Sequence, residues 1–444
     1  LLASLITMTE NNLMETIVNL CKRRGFVYNS SEIYGGFKAA YDYGPLGVQL
    51  LSNIKKNWWS TMVDQRRDIV GLDSSILIAP QVWKASGHLD TFTDPLVECK
   101  KCNSRHRPDI LDDPNKCPDC GAKGQMSEPK EFNLMFKTYV GPIEDESGVA
   151  YFRPETAQGI FINFLNVLNS TRQKPPFGIA QIGKSFRNEI TTKNFIFRSR
   201  EFEQMEMEYF IPPSEGLKWL EYWQNERMAW FKSIGVDVSK LRLREHEEDE
   251  LSHYSDKTYD IEYDFPWGWG ELEGVAYRTD FDLKSHAEAS GVDLSYFDQA
   301  TNERYIPHVI EPAVGLNRTA LVVLIDAYDE DEINGEKRVV MRFDKKIAPV
   351  QIAVLPLSKK PELEEKVDAV FNLLKKKYLV DVDVTQSIGK RYRRQDEIGT
   401  PYCITVDFDS LEDGAVTVRD RDTTEQVRIS INKLEEYFEQ EFKE

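Results

Sequence analysis

The sequence predicts an α+β body with a cysteine-knuckle insertion, followed by a smaller α/β domain, and three observations predict it. Residues 178–188 and 197–210 are strand formers joined by a short polar loop, the pattern of a β-hairpin. Cys99, Cys102, Cys117 and Cys120 form two CxxC pairs at ribbon spacing. Beyond residue 349, short apolar strands alternate with helical periods, as in an α/β unit.

Taken in order, residues 1–13 are expected to be a disordered leader. The first seven are apolar but have neither a basic flank nor a small-residue cleavage pattern. Residues 14–24 read as a helix stopped by Gly25. A turn-rich stretch, 40–47, precedes a helix over 48–65 with Leu50, Leu51, Ile54, Trp58 and Met62 on one side. Residues 76–79 read as a short buried strand stopped by Pro80. The insertion around 95–130 holds the cysteines. Strand pieces at 132–139 and 150–152 and an apolar helix at 159–169 lead to the hairpin. A second insertion, 211–262, contains an aromatic-rich helix at 214–233 and an acidic run at 244–250, read as a solvated face. Residues 270–283 look like a strand, 308–311 like a strand ended at Pro312, and 317–327 like a buried helix. The body is thus expected to span 14–346. The second domain, 349–444, shows elements at 352–355, 362–377, 380–384, 402–407, 416–419 and 431–442.

At 444 residues the chain is long enough for two or three domains. No apolar run approaches the roughly 18–20 residues of a membrane span. A formal charge of −18 excludes an indiscriminate nucleic-acid binder but leaves room for a local basic face. Six cysteines are too few for a disulfide scaffold and point to a reducing, cytoplasmic compartment with a metal.

Two arginines carry the chemistry. Arg187 lies in Ser-Phe-Arg-Asn-Glu at 185–189, and Arg318 ends Gly-Leu-Asn-Arg at 315–318, just before the buried helix. One from a strand and one from a first helical turn can meet over the phosphates of a bent nucleoside triphosphate. Alternation puts Arg187 with Glu189, and Arg198, Arg200, Phe202, Gln204, Glu206 and Glu208 together. Such a face can hold a phosphate, stack on a purine and bind polar atoms; the plainer reading is a solvated face of ion pairs. A cation at a helix start opposes the helix dipole, so Arg318 calls for an anion. Gly315 permits close approach of a ligand. Glu271 and Glu273 are expected on one strand face, where two carboxylates suit Mg²⁺, or merely solvent. The four paired thiols suit one tetrahedral Zn²⁺, the alternative being unliganded thiols. Cys21 and Cys403 read as core. Residues 178–185 match the P-loop expression, but strand formers fill it and no apolar helix follows, so that reading is rejected. The run Lys390, Arg391, Tyr392, Arg393, Arg394 suits single-stranded RNA or a solvated loop equally. His88, His246, His253, His286 and His308 lack metal or triad spacing and read as structural.

Residues 186–189 with 197–198 resemble the second motif of class II aminoacyl-tRNA synthetases, and 315–318 the third. The helix after Gly47, leading into 78–80, resembles the first, which builds a dimer interface. More narrowly, Tyr-Asp-Tyr-Gly-Pro-Leu-Gly at 41–47, Arg-Pro-Glu-Thr-Ala-Gln-Gly at 153–159 and residues 389–396 resemble the homodimeric bacterial glycyl-tRNA synthetase family, over 14–442. The resemblance implies a central antiparallel sheet flanked by helices and a C-terminal anticodon-binding domain. It implies ATP-dependent activation of glycine to the adenylate, pyrophosphate release and transfer to the 3′ end of tRNA(Gly). The implied cofactors are Mg²⁺ and structural Zn²⁺; the implied partners are tRNA(Gly), glycine and a second copy, with no membrane and no DNA. Arg187 and Glu189 would hold the α-phosphate and the adenine edge. Phe202 would stack on adenine, and Arg318 would hold the γ-phosphate. Asn188, Phe197, Arg198, Leu272, Gly315 and Asn317 would complete the ATP site, with Glu271, and with it Glu273, near the metal. Glu155, Phe202, Gln204, Glu206, Glu311, Ala313 and Gly315 would line the glycine pocket, with Arg107 reaching it. In some relatives Ala313 is a serine. Lys390, Arg391, Arg393 and Arg394 would meet tRNA. Glycine offers only an ammonium and a carboxylate, so a small acidic pocket anchors it and sterics reject larger amino acids. A non-catalytic nucleic-acid-binding relative and a class II enzyme for another small amino acid are the other readings.

Overall fold

The computed structural model describes residues 2–190, 194–252, 255–333 and 335–443. The first helix, α1 (Leu2–Arg24), takes in the segment expected as a disordered leader. Lys22, Arg23 and Arg24 sit in its last turn, favourable against the helix dipole, and Gly25 ends it at φ +80°. Helix α2 (Pro45–Trp59) opens on proline, whose missing N–H costs nothing there, and runs on as a π-helical turn, Ser60–Asp64. Leu50, Leu51, Ile54, Trp58 and Met62 are buried on one side, as their spacing predicts. Gly47 is needed because a Cβ there would meet the Phe26 carbonyl oxygen at 1.8 Å.

A seven-stranded sheet forms the body: β1 (Ile69–Gly71), β2 (Phe177–Phe186), β3 (Glu201–Ile211), β4 (Leu241–Glu245), β5 (Lys257–Phe265), β6 (Gly268–Thr279) and β7 (His308–Gly315). Its order is β4-β5-β6-β7-β3-β2-β1, antiparallel except for the β2–β1 pair. The hairpin β2–β3 pairs Phe177 with Phe210 and Phe186 with Glu201. Strand β2 runs straight through the P-loop lookalike, which confirms its rejection. Residues 195–197 form a 3₁₀ turn, so the second strand starts later than expected. The expected strand at 270–283 stops at Thr279, and Leu283 belongs to a helix, Phe281–Ser290. Strand β7 continues through Pro312 to Gly315 rather than ending there. Pro312 lies opposite Val275 on β6, and on its other side the β3–β7 ladder lapses between the Glu206–Ala313 and Tyr209–Ile310 pairs, so the missing donor is accommodated. The expected helix at 159–169 is two short ones, Ala157–Phe161 and Phe164–Thr171.

Strand parity sets what faces where. Met205, Met207 and Tyr209 of β3 join the core with α2, α3 (Gly216–Ser233) and α4 (Leu316–Ala327). Phe202, Gln204 and Glu206 face the other way, toward the site. The second domain is a five-stranded sheet, β8 (Ile352–Pro356), β9 (Val380–Val382), β10 (Tyr402–Val406), β11 (Ala415–Asp420) and β12 (Gln426–Ser430), in the order β9-β8-β10-β11-β12. Helices α5 (Pro361–Leu374) and α7 (Leu434–Glu441) cover it. The basic run lies on a helix missed in the sequence, α6 (Ile388–Ile398), where charged residues hide the periodicity. Buried Arg338 of the body ties to Asp396 of α6 at 3.3 Å.

A β-bulge overturns the proposed Mg²⁺ pair. Ile261 lies opposite Glu273 but Glu262 opposite Glu271, so Leu272 is the extra residue and the two glutamates turn to opposite sides. Glu273 is fully buried and accepts a 2.6 Å bond from Arg227 of α3. Removing one partner of such a pair leaves an uncompensated buried charge. Glu273→Ala is therefore expected to destabilise the fold by about 3–5 kcal/mol in denaturant unfolding; an unchanged midpoint would show that the pair contributes nothing.

Candidate active site

Phe202, Gln204 and Glu206 of β3, with the segment after β2, strands β5, β6 and β7 and the start of α4, line a cavity of about 270 Å³. It brings together Glu155, Arg187, Glu189, Phe197, Arg198, Phe202, Gln204, Glu206, Glu271, Leu272, Glu311, Ala313, Gly315, Asn317 and Arg318. The two arginines thus converge on one space. Arg187 follows the last residue of β2; its Nε donates to the Pro154 carbonyl at 3.0 Å, and its guanidinium lies 5.3 Å from the Phe202 ring centroid. Arg318 donates to the carbonyls of Phe197 (3.2 Å) and Glu271 (3.0 Å), pairs with the Glu271 carboxylate at 3.1 Å and lies 4.5 Å from the Phe197 ring centroid. Arg318 beside Glu271 holds that carboxyl below its usual range. Asn317 acts as a staple: its side chain accepts from the Glu203 N–H at 2.8 Å and donates to the Tyr43 hydroxyl.

Several expected residues fall elsewhere. Asn188 and Glu273 do not line the cavity; the Asn188 N–H is used on the Leu134 carbonyl. Arg107 pairs with Asp94 (2.9 Å) and Asp109 (2.8 Å) and does not line the cavity. Arg200 turns away to the carbonyls of Glu189 and Lys38, because strand alternation begins only at Glu201. Of the basic run, Arg391 is removed from the RNA-facing set: it is buried, donating to the carbonyls of Gln386 and Pro356. Tyr392 points inward to Thr405. Arg394 is bound to Asp383 at 2.7 Å and Arg393 to Glu336 at 3.3 Å, whereas Lys390 is exposed.

The inner end of the cavity is acidic. Glu155 pairs with His88 at 3.3 Å; burial would raise its carboxyl, but His88, Arg278 and Arg187 hold it well below the carboxylate range. Glu206 accepts from the Thr156 N–H at 2.9 Å and from its hydroxyl, yet burial and the neighbours Glu311 and Glu155 push it up to about 8. Glu311 is raised by burial and opposed by Arg278, which donates to it at 2.8 Å. Arg278 also grips Asp282 with two bonds of 2.7 and 2.8 Å. Arg278 and His88 carry no motif, and only the folded chain reveals them. His246, on the run expected to be merely solvated, lines the cavity and meets Asp260 at 2.8 Å. His286 and His308 are structural, bonded to Gln158 and Tyr277; His253 lies outside the described residues.

Away from the cavity, the four paired cysteines converge with their sulfur atoms within 4.8 Å of one another. Cys99 to Cys120 and Cys102 to Cys117 are each 3.7 Å apart. A tetrahedral metal with sulfur bonds of about 2.3 Å implies edges of about 3.8 Å, so the donor set fits one such ion. Asn103 and Gly121 donate N–H bonds to the carbonyls of Cys99 and Cys117, closing each knuckle turn. Cys21 and Cys403 are buried core thiols.

Because the Glu206 carboxyl sits near 8 in the fold and lower in the unfolded chain, the fold binds its proton more tightly between those values. Its contribution to stability is therefore lost as pH rises from the ordinary carboxylate range through about 8. Glu206→Gln is expected to flatten the fall in melting temperature over that window; parallel wild-type and variant curves would contradict the assignment.

Comparison with known proteins extends the geometry. Residues 139–328 match the tRNA synthetase class II core domain (G, H, P, S and T) and residues 351–441 an anticodon binding domain. The chain is 55% identical to a glycine--tRNA ligase of Cutibacterium acnes, covering 97% of this chain and 96% of that protein. It is 55% identical to one of Thermobifida fusca (96% and 98%) and 56% identical to one of Mycolicibacterium paratuberculosis (96% and 97%). The fold is similar to that of a prolyl-tRNA synthetase from Cryptosporidium parvum, solved with L-proline and AMP, at a TM-score of 0.64 and 15% identity, over 96% of this chain and 76% of that one.

Proposed function

The chain belongs to the glycine--tRNA ligase family of class II synthetases, and on that footing we propose how its own residues activate glycine with ATP and pass it to tRNA(Gly). The observation that carries the reading is the convergence of Arg187 and Arg318 on one cavity whose inner end is acidic. The glycine carboxylate attacks the α-phosphorus, the bond to the β-phosphate oxygen breaks, and pyrophosphate leaves. A terminal ribose hydroxyl of tRNA then attacks the acyl carbon and AMP departs. No protein nucleophile is needed; positioning and charge stabilisation suffice.

Arg187, with Glu189 and Arg198 beside it, holds the α-phosphate and the adenine edge, and Phe202 offers the stacking face. Arg318 exchanges Glu271 for the γ-phosphate. Glu271 is half-exposed and free to turn toward Mg²⁺ held by the phosphates, which supplies charge neutralisation when bound; Glu273 takes no part. Glu206 and Glu311 anchor the ammonium, with Glu155 behind them. Gln204, Gly315 and Ala313 keep the pocket small, and the methyl of Ala313 offers no hydroxyl contact.

The four thiols hold Zn²⁺ as a structural ion. Residues 14–346 form the catalytic body, with insertions around 95–130 and 211–262, and 349–444 the anticodon-binding domain. There Lys390 and Arg393 are the members of the basic run most open to RNA. The exposed apolar side chains of Ile33, Tyr34, Phe37 and Val48, in and before α2, supply a surface for a second copy. No helix among the described residues is long and apolar enough to cross a membrane. Sparse cysteine usage and a tRNA substrate support a cytoplasmic location.

Glycine-dependent exchange of pyrophosphate into ATP tests the central reading, and no exchange by folded, metal-loaded protein would end it. Losing one charge-stabilising donor costs about 10²–10³ in rate, so Arg187→Ala and Arg318→Ala are each expected to fall by at least that much with the fold intact. Elemental analysis is expected to find about one Zn²⁺ per chain, lost together with one thiol in Cys117→Ser; a metal-free, folded wild type would exclude the ion.

A further inference from the structure

Glu208 is the acid that the mechanism does not use. It lies on β3 two residues past Glu206, is 0% exposed and does not line the cavity. Neither of its carboxyl oxygens meets an N–H or hydroxyl donor among the described residues. What it does meet is acid: carboxyl oxygens of Glu206, Glu208 and Glu311 all lie within 4.8 Å of one another. In the register that pairs Glu206 with Ala313 and Tyr209 with Ile310, Glu208 falls opposite Glu311. The groups around this cluster are Glu155, Arg278 and Asp282. Among the described residues Arg278 is the cation that acts on all three, and it is already shared between Glu311 and Asp282.

Three carboxyls packed this closely out of water, with one guanidinium partly committed to a fourth, cannot all be ionised. Glu206, pushed up to about 8, has Thr156 as a donor; Glu208 has none among the described residues and so holds its proton the more firmly, and a protonated carboxyl can donate where a carboxylate cannot. We infer that Glu208 is a positioning residue: as a neutral acid it donates its proton in a hydrogen bond to Glu311 and so fixes the carboxylate that anchors the glycine ammonium. Burial and the adjoining Glu311 both push the Glu208 carboxyl well above its ordinary range, in keeping with this. The inference rests on the reading of Glu311 as the ammonium anchor. It adds that this anchor is held from behind by a group no substrate touches.

The test compares Glu208→Gln, which keeps a neutral donor of the same length, with Glu208→Leu, which keeps the volume and removes the donor. In glycine-dependent exchange, Glu208→Leu is expected to raise the KM for glycine at least tenfold, with a smaller change in kcat and none in the KM for ATP. Glu208→Gln is expected to restore most of that loss. An unchanged glycine KM in the leucine variant overturns the proposal. So does a glutamine variant as impaired as the leucine one, since that would mean that an ionised Glu208 is what matters. Infrared difference spectra of wild type against Glu208→Gln provide a readout independent of activity. One protonated-carboxyl band of the wild type is expected to be lost in Glu208→Gln, and a difference spectrum without such a loss overturns the proposal even if the leucine variant fails to fold. Glu311→Gln, run alongside, tests the premise separately: an unchanged glycine KM there refutes the anchor, whatever the Glu208 variants do.

Discussion

Arg278 is 1% exposed and carries three strong hydrogen bonds, two to Asp282 and one to Glu311. Without that guanidinium the inner end of the cavity would hold Glu155, Glu206, Glu208, Glu311 and Asp282 with little to offset their mutual repulsion. Buried charge persists only when it is paired and hydrogen-bonded. Arg278, helped by His88 against Glu155, keeps the acids in place while leaving the cluster short of positive charge. A small cation is the ligand that such an arrangement favours. Under the proposed function, a glycine ammonium would meet that need.

The same strand supplies both the core and the chemistry. On β3, Met205, Met207 and Tyr209 pack against helices while Phe202, Gln204 and Glu206 face the cavity. A shift of one residue in register would put the acids into the apolar core, so packing fixes the site geometry. Arg318 is held differently. It enters from the first turn of α4, a place hostile to cations, and is aimed by the carbonyls of Phe197 and Glu271 and by the Glu271 carboxylate. Its partners are thus two backbone carbonyls and one half-exposed carboxylate.

Much of this was legible before folding. The hairpin, the helix over 48–65, the buried helix at 317–327 and the elements at 352–355 and 402–407 all carry strong apolar periodicity, and all are present. Where the periodicity weakens, the reading failed. Charged residues on six of eleven positions conceal α6 (Lys390, Arg391, Arg393, Arg394, Asp396, Glu397), and the exposed side of β12 conceals that strand. Pro312 reads as a strand end because local rules count a missing donor as a stop, but the strand continues where the ladder to β3 lapses beside it.

The sequence by itself determined the types of group that do the chemistry: the arginines of two motifs, the glutamates at alternate positions and the four thiols at ribbon spacing. These follow from covalent spacing, which fixes which residues can share a face or close a knuckle. Only the tertiary structure decided which of them meet. One bulged residue at Leu272 separates Glu271 from Glu273. Asp94 and Asp109 pair with Arg107 beside rather than in the cavity lining, and burial ties Arg391 to backbone carbonyls. Arg278 and Glu208 acquire their roles from neighbours distant in the chain. Ionisation and hydrogen bonding depend on distances through space and on the removal of water, and neither is encoded locally.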